Sequence, residues 1–495
     1  MSSITTRTIG QRAGIGLYSL WLVATVAVLA LRPGELLEIG LVGAVGYVAF
    51  SVLQAQRVEL PTAITAAACF AAPLLYAWPV RSFEEHQLPG PAGAFTSVGS
   101  LLPLTALIAT ARWRHANFSA LPRLLTVGAA VLAGAGLASS LAATQTGSTF
   151  ASTWLVYGAP ICLGLAIFAS TQEIQDIHRY LAMVVLGALP QLAVAIAAYA
   201  VDFGVPTSAH DLVIAKAALF RPHLIQDQAL GNVGHLSDFS LALLLPATTI
   251  ACARLLRPPV RAVAGATTLA VITSLVLVLS RSAMAVAVLI LACAFVVMLR
   301  QSRSPLGMTI VAAAGLVMVA VALAPSVRRS YESLVPVTSP VGSQITPAAG
   351  PVPGPDSAGG QSTEFRLAAQ KTAWEIARAH MPWGVGTGQY ALYDPVHTAP
   401  HSLPLQSLSE MGVLGAIGWL LVAAYAVWRG ALTVMQRHRP WWLEELAAAG
   451  SVLAVLLHGT IAGFTLQLGH DNTPSLLLWI GLGCLAAVER IGRTT

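Results

Sequence analysis

Between Arg366 and Gly415 a chain that is otherwise almost continuously apolar turns polar and glycine-rich, and the side chains gathered there are of kinds that move protons and hold anions. His401 carries an imidazole, whose ordinary pKa of about 6.5 lets it accept a proton near neutral pH. Arg366 opens the stretch, with Arg281 and Arg221 upstream. A guanidinium stays charged and presents a fork of donors that suits anionic oxygens. Ser402 and Glu410 follow the histidine, and His235 and Asp238 sit one helical turn apart further back. Each of these residues also has a purely structural reading. Arg281 could be an interfacial anchor, Arg366 could pair with Glu364, His401 could bond a loop carbonyl and Glu410 could cap a backbone amide. His235 and Asp238 could form a local polar cap, and His458, inside an apolar run, could be satisfied by a neighbouring carbonyl.

The elements that must position these groups are membrane helices. In 495 residues, 56% are hydrophobic and 10% charged, with a mean hydropathy of +0.72, which leaves too little polar surface for a soluble globule. Apolar runs of about 18 to 22 residues recur, each long enough to cross a hydrocarbon core of about 30 Å. Stretches such as VAVLILACAFVVMLR are apolar on every face, which excludes a β-barrel with its alternating strands. The expected fold is an all-α polytopic bundle. Its spans fall at 14–31, 36–54, 61–78, 95–111, 121–142, 150–170, 179–201, 235–255, 261–280, 283–300, 307–325, 411–429, 444–466 and 474–490, about fourteen helices with twelve as the fallback.

Charge orients the bundle. With a cytoplasmic N-terminus, seventeen arginines from Arg7 to Arg493 fall on the inner side, and eight arginines and both lysines on the outer side. Both termini are therefore expected in the cytoplasm. The net charge of +6 then reports topology and not nucleic-acid binding. Arg7 and Arg12 read as the flank of a signal anchor, with no cleavable signal peptide expected. The five cysteines lie within apolar runs and read as buried small hydrophobes. No Walker loop, dinucleotide fingerprint or HExxH is present, so no cofactor is expected.

Two outer segments exceed connector length, which divides the chain into N-terminal transmembrane helices (1–201), an outer loop (202–234), central helices (235–325), a large outer loop (326–410) and C-terminal helices (411–495). The large loop changes character along its length. Pro336 to Gly360 is Pro-, Gly- and Ser-rich and reads as an extended strap. From Thr363 an amphipathic helix is expected, with Phe365, Leu367, Ala368, Trp374, Ile376 and Ala377 apolar, ending by Pro382. A Gly384-Val-Gly386-Thr-Gly388 turn follows, in which the glycines are read as serving turn geometry, with no helix start after them.

Taken together, Arg366, Trp374, Pro382, the three glycines, and His401, Ser402, Leu405, Glu410, Gly412 and Gly415 resemble the O-antigen ligase and polymerase superfamily. The LVLSRSA stretch with Arg281 and the GNVGHLSDF element from Gly231 to Phe239 are similar to it as well, although many relatives carry Asn where this chain has Ser402. The resemblance covers about 230–465 and is closest to an O-antigen ligase. It implies a metal-independent, inverting transfer of a glycan from undecaprenyl pyrophosphate to the lipid A-core oligosaccharide at the periplasmic face of the bacterial inner membrane. Arg221, Arg281 and Arg366 would hold the donor pyrophosphate and His401 would take the acceptor proton, with Glu410, Ser402, His235 and Asp238 in support. The absence of a DxD or an outer carboxylate cluster fits a reaction without a metal.

A repeat-unit polymerase or a protein O-oligosaccharyltransferase of the same superfamily is the alternative. A secondary transporter or flippase is a more distant one, since no repeated halves with matching broken helices are evident. The topology has a direct check: a cysteine at Pro353 is expected to react with an impermeant reagent in spheroplasts and one at Gln436 is not. Reversed labelling would invert the bundle.

Overall fold

The computed structural model describes residues 59–73, 98–112, 118, 120–203, 233–253, 256–278, 280–301, 305–323, 358–394, 400, 402–435, 441–461 and 472–494. Among the described residues every regular element is a helix and there is no strand. In chain order these are α1 (Leu60–Ala71), α2 (Val98–Ala111), α3 (Arg123–Ala142), α4 (Thr146–Ser170, with a π-helical turn at Trp154–Gly158), α5 (Ile174–Phe203), α6 (Val233–Cys252) and α7 (Pro258–Val278). They continue with α8 (Arg281–Gln301), α9 (Pro305–Leu323), α10 (Ala358–Ala379), α11 (Tyr390–Tyr393), α12 (Leu403–Met435), α13 (Trp442–Ile461) and α14 (Asn472–Thr494).

Seven of them (α3, α4, α7, α8, α12, α13 and α14) are long and apolar enough to cross a membrane, and α1, α2, α6 and α9 contain shorter apolar helices. Hydrocarbon offers no water to bond a peptide group, so a chain of this composition must close its backbone bonds inside helices. The few hydroxyls follow the same logic. Thr248, Thr268 and Thr433 each donate to the carbonyl one turn back, at 2.7, 2.9 and 2.9 Å.

Of the fourteen expected spans, 14–31 and 36–54 lie outside the described residues, and each of the other twelve overlaps a helix in its described part. The expected strap lies mostly outside them too, but α10 begins at Ala358, before the strap was expected to end at Gly360. The span expected from 411 starts earlier, at Leu403, because a short helix precedes it and joins it through a break at Gly412. The cysteines are free, but only Cys69, Cys252 and Cys484 are buried. Cys162 is intermediate and Cys293 lies on an exposed side of α8, where hydrocarbon would accept a thiol as readily as the core does.

The helices pack closely where side chains are small, as expected when lipid gives apolar surfaces no drive to associate and contact must supply the attraction. α3 lies along α12. A methyl group on Gly128 would sit 3.0 Å from a Val422 methyl, and one on Gly418 would sit 2.7 Å from Leu132 Cγ.

One end of the bundle is tied by charge. Arg429 of α12 is ion-paired with Glu445 of α13, and its Nε is 3.6 Å from Glu489 of α14. The Tyr425 hydroxyl donates to Glu489 at 3.1 Å, and His178 of α5 meets Glu444 at 2.5 Å. Breaking a buried pair strands its partner charge. Arg429→Ala is therefore expected to destabilise the protein by about 3–5 kcal/mol, read as a lower melting temperature in detergent, and an R429M/E445L double variant should recover part of the loss. An unchanged melting temperature for R429A would mean that water already reaches this end.

Candidate active site

The polar segment is built around a gap in a helix. At Gly412 the backbone of α12 leaves the helical region, with φ +68° and ψ −162°, and peptide groups on either side lose their intrahelical partners. The turn after α10 supplies replacements. Val385 N–H donates to the Ser409 carbonyl at 2.9 Å and Gly386 N–H to that of Glu410 at 2.8 Å, while the Pro382 carbonyl accepts from Val413 N–H at 3.1 Å. The turn thus threads through the break and closes it.

Only glycine allows that approach. Gly384, Gly386, Gly388 and Gly412 all have positive φ. A Cβ on Gly412 would lie 1.7 Å from the Pro382 oxygen, and one on Gly384 would lie 2.5 Å from the Glu410 carbonyl group. The G-x-G-x-G spacing is therefore a backbone requirement, as its turn reading anticipated. A short helix does follow it, α11, contrary to expectation.

Glu410 belongs to the same construction. It is 2% exposed; its carboxylate accepts the backbone N–H groups of Gly388 and Tyr390 and the Gln406 amide at 3.3 Å. The amide-capping alternative for Glu410 is the one observed. On the far side of the turn, Thr387 Oγ1 accepts from Thr153 of α4 at 3.0 Å, and Thr153 is itself 3.0 Å from Ser140 of α3. The turn is bolted to the bundle from two directions.

α10 docks on this assembly through a small core of Ala373, Ile376, Val385 and Tyr390, with Leu405 against it. The Tyr390 hydroxyl lies 2.9 Å from the Ala369 carbonyl and 3.0 Å from Asp394 Oδ2. Burial, then the Asp394 charge, pushes its phenol far above the usual value, so it stays protonated and donates.

The buried stripe of α10 differs from the one expected. Ala369, Ala373, Ile376 and Ala377 face inward, while Leu367 and Trp374 are exposed at 58% and 47%. Arg366, three residues before Ala369, lies on the inward stripe and is half-buried, and burial lowers its guanidinium pKa. The structure thus directs Arg366 toward the protein. Glu364, its sequence-based ion partner, has its side chain outside the described part.

His401 and Arg221 lie outside the described residues, and so do the side chains of Arg281 and His235. Their neighbours locate some of them along the chain. Ser402 is buried and precedes the first helical residue of α12, with its carbonyl accepting Gln406 N–H at 2.8 Å. Pro404, in that first turn, has no N–H to leave unpaired. In the chain His401 is the residue directly before Ser402. Arg281 is the first residue of α8.

Asp238 does not form a local cap. It reaches across to His458 of α13, whose other ring nitrogen faces Ser282, so the carbonyl partner expected for His458 is replaced by a carboxylate and a hydroxyl. Sequence reading left His458 and Ser282 outside the site. The available signal was two ionisable groups in different apolar runs, Asp238 near the start of one and His458 near the end of another, each costly to bury alone.

Gly412→Ala and Gly384→Ala are each expected to lose at least the strain of a non-glycine residue at positive φ, about 1–3 kcal/mol, with the steric clash added. Gly134→Ala, in α3 with open space around it, should be neutral or stabilising by up to about 1 kcal/mol. Thermal unfolding in detergent distinguishes them. A G412A protein as stable as wild type would show that the break is dispensable.

Residues 266–420 match the family model described as O-Antigen ligase. The match takes in Arg281, Ser282, Arg366, Trp374, the glycine turn, His401, Ser402, Glu410, Gly412 and Gly415. It leaves out Arg221, His235, Asp238 and His458. No curated protein matches the chain. Carried by the stretch in which the broken helix and its glycine turn interlock, the match supports membership of the O-antigen ligase superfamily, a family of glycan-transferring enzymes, for this multi-pass membrane protein.

Proposed function

We propose that the protein is an O-antigen ligase that moves a glycan from undecaprenyl pyrophosphate to a hydroxyl of the lipid A-core oligosaccharide, at the periplasmic face of the bacterial inner membrane. The observation that carries this reading is the family match over 266–420, the stretch that holds Arg281, Arg366 and His401. The half-buried position of Arg366 on α10 supports it, because burial takes the guanidinium partly out of bulk water, where pairing with an anion gains more.

In this reading Arg366, Arg281 and Arg221 hold the pyrophosphate, and their forked donors match the charge that gathers on it as the glycosidic bond breaks. His401, leading into α12, takes the proton of the attacking hydroxyl. One in-line displacement inverts the anomeric carbon, and charge stabilisation by arginine stands where other transferases use a metal. Glu410 acts at one remove, by fixing the glycine turn against the start of α12, nine residues after His401 in the chain.

Transfer by the purified protein from an undecaprenyl-pyrophosphate glycan to lipid A-core tests this. His401→Ala is expected to lower turnover by about 10² or more while donor binding persists, and wild-type activity should fall as pH drops through about 6.5, where a neutral imidazole is lost. Arg366→Ala and Arg281→Ala should lose activity while still accumulating in the membrane, and Arg281→Lys should restore only part, because a point charge cannot reproduce a forked contact. Full turnover by His401→Ala would end its role as base. A deletion strain should show free core and accumulated lipid-linked polymer. Single repeat units in place of polymer would make the protein a polymerase.

A further inference from the structure

Three helices place a chain of polar side chains inside the apolar bundle. Asp238 of α6 is completely buried and paired through Oδ1 with Nδ1 of His458 on α13, which is 3% exposed. Nε2 of the same ring is 3.3 Å from Oγ of Ser282, in the first turn of α8. Ser282 Oγ is in turn 3.1 Å from Ser280 Oγ. Ser280 precedes α8 and caps it: its Oγ accepts Ala283 N–H at 3.4 Å and its carbonyl accepts Met284 N–H at 2.9 Å. Arg281 lies between the two serines.

The arrangement has a direction. With its Nδ1–H donating to the Asp238 carboxylate, a neutral His458 has an acceptor at Nε2, and the Ser282 hydroxyl donates to it. The carboxylate thereby sets the ring, the ring sets the Ser282 hydroxyl, and the two serines hold the turn that carries Arg281. A carboxylate this deep is costly, and Asp238 Oδ2 has no hydrogen-bond partner among the described residues. Apolar residues at these positions would pack three helices at lower cost. Asp238 and His458 also lie outside the segment that matches the family model, while Ser282 and Arg281 lie within it.

We propose that Asp238, His458 and Ser282 form a positioning relay that fixes the first turn of α8 so that Arg281 meets the pyrophosphate of the lipid-linked donor. The proposal rests on the transferase reading above and adds to it residues that act through Arg281. Forked recognition of a phosphate has narrow angular tolerance, and a turn free to shift by about 1 Å would lose much of it. His458 and Asp238 are positioning residues. They work by hydrogen-bond geometry, without exchanging protons with substrate.

The test uses the full-length protein in detergent, with binding of undecaprenyl pyrophosphate alone measured beside steady-state transfer. Ser282→Ala, a small change that keeps the packing, is expected to raise the dissociation constant and the donor KM together by about 5- to 10-fold, the worth of one net hydrogen bond. Its kcat and acceptor KM should stay near wild type. Ser282→Thr, which keeps the hydroxyl, should restore donor affinity. Asp238→Ala should weaken donor binding at least as much, whereas Asp238→Asn, whose amide oxygen still accepts from Nδ1–H, should stay within about threefold. Wild-type affinity in both Ser282→Ala and Asp238→Ala would overturn the relay and leave the transferase reading standing. Loss of kcat at saturating donor with an unchanged KM would place these groups in the chemistry and equally overturn a positioning role. A wild-type protein that neither binds undecaprenyl pyrophosphate nor transfers from it would remove both readings.

Discussion

A helix inside a membrane cannot be interrupted unless something else takes up the peptide groups it releases. α12 is interrupted at Gly412, and the polar segment is arranged around that fact. The 382–388 turn exists to bond the Ser409 and Glu410 carbonyls and the Val413 amide. Glu410 then bonds the turn in return through Gly388 and Tyr390. Loop and broken helix therefore form one unit, neither stable in this conformation without the other, and α10 is carried on it. This gives an irregular segment the rigidity that a site on a free loop lacks.

Among the described residues, two groups of buried charged and polar side chains each join three helices. Arg429, Glu445 and Glu489 join three helices at one level, while Asp238, His458 and Ser282 join three helices at another. Along α13, Glu445 and His458 are thirteen residues apart, about 20 Å at the helical rise. The first group has guanidinium matched to carboxylate, as a structural clasp requires. The second has an imidazole between a carboxylate and a hydroxyl, with one carboxylate oxygen left over.

Two of the residues proposed for the reaction lie at or next to helix starts in the chain: Arg281 is the first residue of α8, and His401 comes two positions before Leu403, where α12 begins. A helix fixes the direction in which the chain enters it. Arg366 sits eight residues into α10 and is half-buried there.

Composition and periodicity alone established an all-helical membrane bundle, because apolar runs of spanning length have one backbone solution in hydrocarbon. The sequence also located the polar segment, its glycine turn and the candidate arginines and histidine, since those types are rare enough in such a chain to stand out. Three things were decided only by tertiary contact. The inward face of α10 depends on what it packs against, so Leu367 and Trp374 are outside while Ala369, Ala373, Ile376 and Ala377 are inside. The role of Glu410 depends on a turn some twenty residues earlier in the chain that returns to it. The partner of His458 lies 220 residues away, and no local pattern records which of several buried polar groups will meet when antiparallel helices are laid side by side. Sequence fixes where a costly group sits along its own helix, but the helix packing alone determines what it faces.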